Sequence, residues 1–179
     1  MYAGNKKKAT SVMSFRLDED IVEALREEAE EEDVSLNVLA NHVFRRYVEW
    51  ERDSRKVGFI PITKELLTSL MTEVDDKKIE DIVRSVGKNI FKAQILYMEN
   101  RYDLDSFLKW MEVTNRMSGF AQKHIVNGKT HEYIIQHELN NMNWSVYMKT
   151  LYGIILDDLY KKNVAFEVTP STVVFKIDK

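Results

Sequence analysis

Residues 11–17, "SVMSFRL", alternate: Met13, Phe15 and Leu17 fall on one side, Val12, Ser14 and Arg16 on the other, the period of a β-strand. Helical spacing follows at once, and no second strand-like run lies within sequence reach to pair with this one. A lone strand leaves a row of unsatisfied amides and carbonyls and gains too little to stay ordered. Asp18 stands where it can cap a helix whose stripe is Ile21, Leu25 and Ala29, widened by Val22. After a break at Asp33 and Val34, Ser35 caps a second helix with Leu36, Leu39, Ala40, Val43, Tyr47 and Trp50 on its apolar side. About 40 residues arranged this way are too few to bury their own apolar surface. Two copies related by a two-fold axis would each supply the strand the other lacks, so a homodimer or higher homo-oligomer is expected.

The remaining chain is long enough for a core of its own. At 179 residues and 44% hydrophobic content, the protein holds one ordinary domain or two small ones. No apolar run approaches the roughly 20 residues of a membrane span, and residues 1–15 lack a secretory hydrophobic region. A cytoplasmic protein with no membrane partner is the expectation. The absence of cysteine excludes a disulfide framework, a thiolate nucleophile and a cysteine-ligated zinc.

Charge is distributed unevenly. Residues 1–53 hold 8 basic and 13 acidic side chains, yet residues 1–17 contain Lys6, Lys7, Lys8 and Arg16 and no acid. The acids follow in "DED" and "EEAEEED", read as a solvated helix face. The segment 54–62, with Gly58 and Pro61, reads as a linker between a unit of residues 1–53 and a second of residues 63–179. In the second, Thr63 opens one helix, Asp75 or Asp76 a longer one through about Met98, and Asp103 or Asp105 a third carrying Phe107, Trp110 and Met111. Asn127 and Gly128 separate two strand-like runs and predict a two-residue hairpin turn. A helix through "SVYMKTLYGIILDDLYKK" and a further hairpin turning at Pro170 and Ser171 complete an α+β pattern of helices leading into a small antiparallel sheet.

Residues 10–51 resemble the ribbon-helix-helix family of DNA-binding proteins, on the strand "VMSFRL" and on "DVSLN" at the start of the second helix, where Asp33 occupies the place usually held by glycine. The resemblance implies an N-terminal ribbon-helix-helix fold, with Met13, Phe15 and Leu17 against the helices and Val12, Ser14 and Arg16 directed at duplex bases. An antiparallel ribbon fits the major groove, where arginine pairs with guanine, serine donates or accepts, and valine touches a thymine methyl. Ser35 and the amides of Leu36 and Asn37 would hold a backbone phosphate at the helix start. Lys6, Lys7 and Lys8 would add nonspecific attraction, or form a solubilising tail.

The function so implied is that of a sequence-specific transcriptional regulator, a repressor, whose partner is double-stranded DNA. The alternative is an antitoxin-like or structural dimerisation protein that holds a protein partner. In arrangement the chain is similar to nickel-responsive repressors, whose second unit binds an effector, but those ligate metal through histidines and a cysteine. An unidentified effector for residues 63–179 stays open, beside pure self-association. Catalysis is not expected: "HEYIIQH" places His131 and His137 six residues apart rather than the four a zinc-protease helix needs, and no glycine-rich phosphate loop or "GxSxG" elbow is present. No cofactor is implied. If Asn127 and Gly128 form the turn, Val126 faces Lys129, Ile125 faces Thr130 and His124 faces His131. That pair, packed beside Tyr133, supplies too few ligands for a metal.

Overall fold

The computed structural model describes residues 10–161 and 164–178, which divide between Arg46 and Tyr47 into two compact units.

The first unit contains two helices, α1 (Glu19–Glu31) and α2 (Leu36–Arg46). Asp18 takes the N-cap position of α1, but its side chain makes no capping hydrogen bond. The helix ends in a Schellman motif: Val34 N–H donates to Ala29 O at 2.9 Å and Asp33 N–H to Glu30 O at 3.1 Å. The reversal needs a left-handed residue, and Asp33 supplies it with φ +52°, in the place where glycine would be unstrained. Ser35 Oγ then accepts from Val38 N–H at 3.3 Å and starts α2.

Among the described residues ahead of α1 there is no strand. Residues 10–18 carry no regular secondary structure, and the four strands of the described residues all belong to the second unit. The expected ribbon-helix-helix fold is therefore overturned: the amino-terminal part is helical without a ribbon. The reason is the one that made residues 11–17 conspicuous, since alternation alone creates no strand when nothing pairs with its backbone.

The second unit begins with a π-helical turn, Tyr47–Glu51, and a short helix α3 (Arg52–Ser54). There follow α4 (Lys64–Thr72), α5 (Asp76–Ile82), a second π-helical segment (Val83–Gly87), α6 (Lys88–Glu99) and α7 (Leu104–Met117). Side-chain caps define three of the starts: Thr63 accepts from Leu66 N–H, Asp75 from Lys78 N–H and Asp103 from Ser106 N–H. Then come β1 (Ala121–Asn127), β2 (Thr130–Gln136), the central helix α8 (Met142–Leu159), β3 (Phe166–Thr169) and β4 (Thr172–Asp178). The sheet is antiparallel in the order β1-β2-β4-β3.

Alternation on the strands decides where the core lies. Tyr133 and Ile135 of β2 and Val173, Phe175 and Ile177 of β4 are buried, while Lys176 pairs with Glu132 on the other face at 3.0 Å. Against the buried face pack Phe107, Trp110 and Met111 of α7 and Met148, Leu151, Tyr152, Ile155 and Leu156 of α8. Helix α8 touches α4, α5, α6 and α7 as well as β3 and β4, which is why it is apolar on most of its circumference.

The β1–β2 turn differs from expectation. Asn127 pairs with Thr130, Val126 with His131, Ile125 with Glu132 and His124 with Tyr133, so the two loop residues are Gly128 and Lys129. Gly128 has φ +64°, matching a hairpin turn that requires glycine at its first central position.

Candidate nucleic-acid interface

Every residue from Thr10 to Ile21 is exposed. Val12 is 97% and Met13 72% exposed, and Phe15 and Leu17 are each at 54%. Of the residues expected to face inward, Phe15 alone has a described ring contact, stacking on Phe44 of α2 with centroids 5.2 Å apart. Met13 and Leu17 are open to solvent, and the two-sided separation of this segment is not realised within one chain. The helices repeat the pattern: across the described residues of this unit only Ala29 and Leu39 are buried, while Ile21, Leu36, Val38 and Phe44 are exposed.

The residues expected to read bases, Val12, Ser14 and Arg16, are exposed together on this segment. The Arg16 guanidinium has no ion-pair or hydrogen-bond partner among the described residues, so all five of its donors are open to a planar acceptor pair. Ser35, Leu36 and Asn37 are likewise exposed at the start of α2. First-turn amides have no intrahelical acceptor by position, and the positive helix end adds to their attraction for an anion. The Ser35 hydroxyl oxygen already accepts from Val38 N–H, which leaves its proton to donate outward. Lys6, Lys7 and Lys8 lie outside the described residues.

Electrostatics cut both ways in this unit. Glu19, Asp20, Glu23, Glu27, Glu28 and Glu30 are exposed along α1, whereas α2 has no acid in its first turn and ends in Arg45 and Arg46. The first turn of α2 therefore holds no acid, but the exposed Glu30, Glu31, Glu32 and Asp33 run up to Ser35, so negative charge lies beside this helix start as well as along α1.

Two histidine arrangements complete the candidates. On the sheet, His124 stacks on Tyr133 with centroids 4.3 Å apart and planes 6° from parallel, and its Nε2 lies 2.9 Å from His131 Nδ1. The two histidines share a face as diagonal neighbours rather than as the directly opposed pair expected. Among the described residues no group of three or more histidine, aspartate or glutamate side chains is placed to hold a metal. The second arrangement escaped the sequence reading. His137 Nε2 lies 2.6 Å from Ser145 Oγ, and that hydroxyl lies 2.6 Å from Thr169 O. A carbonyl only accepts, so Ser145 donates to Thr169 and accepts from a proton on His137 Nε2. The pair is buried, and the serine proton is committed to the backbone.

Among the described residues, no helix is long and apolar enough to cross a membrane. No protein-family model matches the chain, and no curated protein matches it.

Proposed function

We propose that the protein is a sequence-specific DNA-binding transcriptional regulator, a repressor, that acts as a homodimer assembled through its first unit. The observation that carries the reading is burial: the described residues of that unit leave Met13, Leu17, Ile21 and Phe44 open to water and bury only Ala29 and Leu39. A chain segment with so little core does not hold a fold alone, and a second copy presenting the same apolar side chains is the occupant that makes the unit complete by its own symmetry. Dimerisation covers the apolar residues and leaves Arg16, Ser14 and the start of α2 for nucleic acid. Arg16 reads a guanine edge, and Ser35 with the amides of Leu36 and Asn37 fixes a phosphate.

The acids of α1 favour a second reading, in which the dimer holds a cationic protein partner as antitoxins do. Footprinting the purified protein on the DNA upstream of its own coding region separates the two. Protection that is lost in Arg16→Ala, at a cost of about 1–3 kcal/mol in discrimination between operator and random duplex, supports the regulator. An Arg16→Ala protein that discriminates as well as the parent removes the base-reading role, and a monomer in sedimentation at micromolar concentration removes the whole assignment.

A further inference from the structure

The second unit contains a cavity of about 570 Å³, within the roughly 300–1,000 Å³ of small-molecule sites. All three tryptophans of the chain, Trp50, Trp110 and Trp144, line it. Phe59 leans on Trp50 with centroids 4.6 Å apart, and Phe120 meets Trp144 edge-on at 6.2 Å. A flat apolar body suits such walls.

The polar part of the lining is selective in what it leaves unpaired. Asn115 is engaged by Tyr152 and Gln122, and Lys64 by Glu138. By contrast Trp110 Nε1, Trp144 Nε1 and Thr114 Oγ1 are buried and have no hydrogen-bond partner among the described residues. An indole N–H only donates, and a buried donor without an acceptor costs free energy that a bound acceptor returns. Arg55 also lines the cavity. Its guanidinium is exposed and has no partner among the described residues.

We propose that this cavity binds a small aromatic carboxylate, its ring between the tryptophan and phenylalanine side chains and its oxygens satisfying Trp110, Trp144, Thr114 and Arg55. The lining offers two unpaired indole donors, the Thr114 hydroxyl and the Arg55 cation, with Glu51 the acidic side chain on the wall, and the enclosing rings are apolar; a carboxylate on a flat ring meets the donors and the cation. This goes beyond the DNA-binding reading and does not depend on it, because every residue involved belongs to the second unit.

The test is calorimetric titration of the full-length protein with 2-naphthoate and with its cationic twin 2-naphthylmethylamine, with tryptophan emission as a second readout. We expect one naphthoate per chain, bound at least about tenfold more tightly than the amine, a difference of about 1.4 kcal/mol. Arg55→Gln should weaken naphthoate about tenfold and leave the amine unchanged, and Trp144→Phe, which removes the N–H with part of the ring surface, should weaken naphthoate more than the amine. Arg55 is exposed, so its variant keeps the test decisive where a tryptophan variant fails to fold. No saturable binding of naphthoate up to about 1 mM, equal binding of the amine, or an Arg55→Gln protein that binds naphthoate like the parent would each overturn the proposal.

Discussion

His137 makes a pH dependence that can be worked through. Its side chain is fully buried, Nε2 donates to Ser145 Oγ at 2.6 Å, and Nδ1 has no partner among the described residues. Protonation would place a charge on that unpartnered nitrogen, near the edge-on ring of Phe120 at 6.0 Å. Burial accordingly pushes the imidazole pKa from the ordinary 6.5 down to about 4. The unfolded chain then binds more protons than the folded one between those two values, so stability is complete above pH 6.5 and falls as the pH drops toward 4. The full difference corresponds to about 3 kcal/mol, of which about 2 kcal/mol is lost between pH 7 and pH 5. Urea denaturation followed by tryptophan emission is the assay, because Trp50, Trp110 and Trp144 all lie in the second unit and report on it alone. His137→Gln retains an N–H for Ser145 and cannot be charged. The parent should lose about 2 kcal/mol more than this variant between pH 7 and 5, the comparison cancelling His42, His124 and His131. Parallel pH profiles for the two proteins would refute the reasoning, as would an NMR titration placing the His137 pKa at 6.5 or above.

Other variants address separate parts of the structure. Ser145→Ala leaves both the His137 N–H and the Thr169 carbonyl without their shared partner and should cost about 1–3 kcal/mol in the same urea assay. Phe107→Ala removes a ring that is fully buried against Trp110 and Tyr152, with an expected loss of about 3–5 kcal/mol; a loss below about 1 kcal/mol would mean the site collapses freely. Phe15→Asp puts a carboxylate beside Phe44 and should shift the sedimentation profile from dimer to monomer, with tryptophan emission unchanged. Ser35→Ala should weaken binding to operator and random duplex by the same factor, measured by fluorescence anisotropy; a sequence-dependent change would reassign Ser35 from phosphate to base contact.

The local signals in the sequence identified element starts where one side chain decides them. Thr63 is the expected cap, and of the alternatives Asp75 or Asp76 and Asp103 or Asp105 it is Asp75 and Asp103 that cap; all three accept a hydrogen bond from an amide three residues on. The expected ribbon fails because its evidence is also local. Alternation at Met13, Phe15 and Leu17 states which faces a strand would have, whereas a strand exists only when another backbone pairs with it. The cavity is hidden for a related reason: Trp50 and Trp110 satisfy helical spacing and read as core, Trp144 falls just ahead of the last helix expected from the sequence, and nothing in the spacing shows that Trp110 Nε1 and Trp144 Nε1 would lack acceptors.

The hairpin register shows most clearly what one strand pair cannot decide for itself. A two-residue loop can be Asn127-Gly128 or Gly128-Lys129, since glycine serves at either central position. Moving the loop by one residue moves each partner by two. Parity is therefore preserved, and His124 and His131 share a face in both registers, which is why their contact at 2.9 Å survives a wrong pairing. What distinguishes the registers lies farther across the sheet. In the observed one, His124 is opposite Tyr133, Tyr133 opposite Phe175 and Phe175 opposite Phe166, with ring centroids 4.3, 5.1 and 5.3 Å apart. A single row of rings thus runs through all four strands. The other register would set Gln122 opposite Tyr133 and break the row at its first step. Cross-strand aromatic pairs contribute about 0.2–1 kcal/mol each, enough to select between two otherwise permissible turns. That selection depends on β4 lying beside β2, a neighbour 36 or more residues away that no property of the turn foretells.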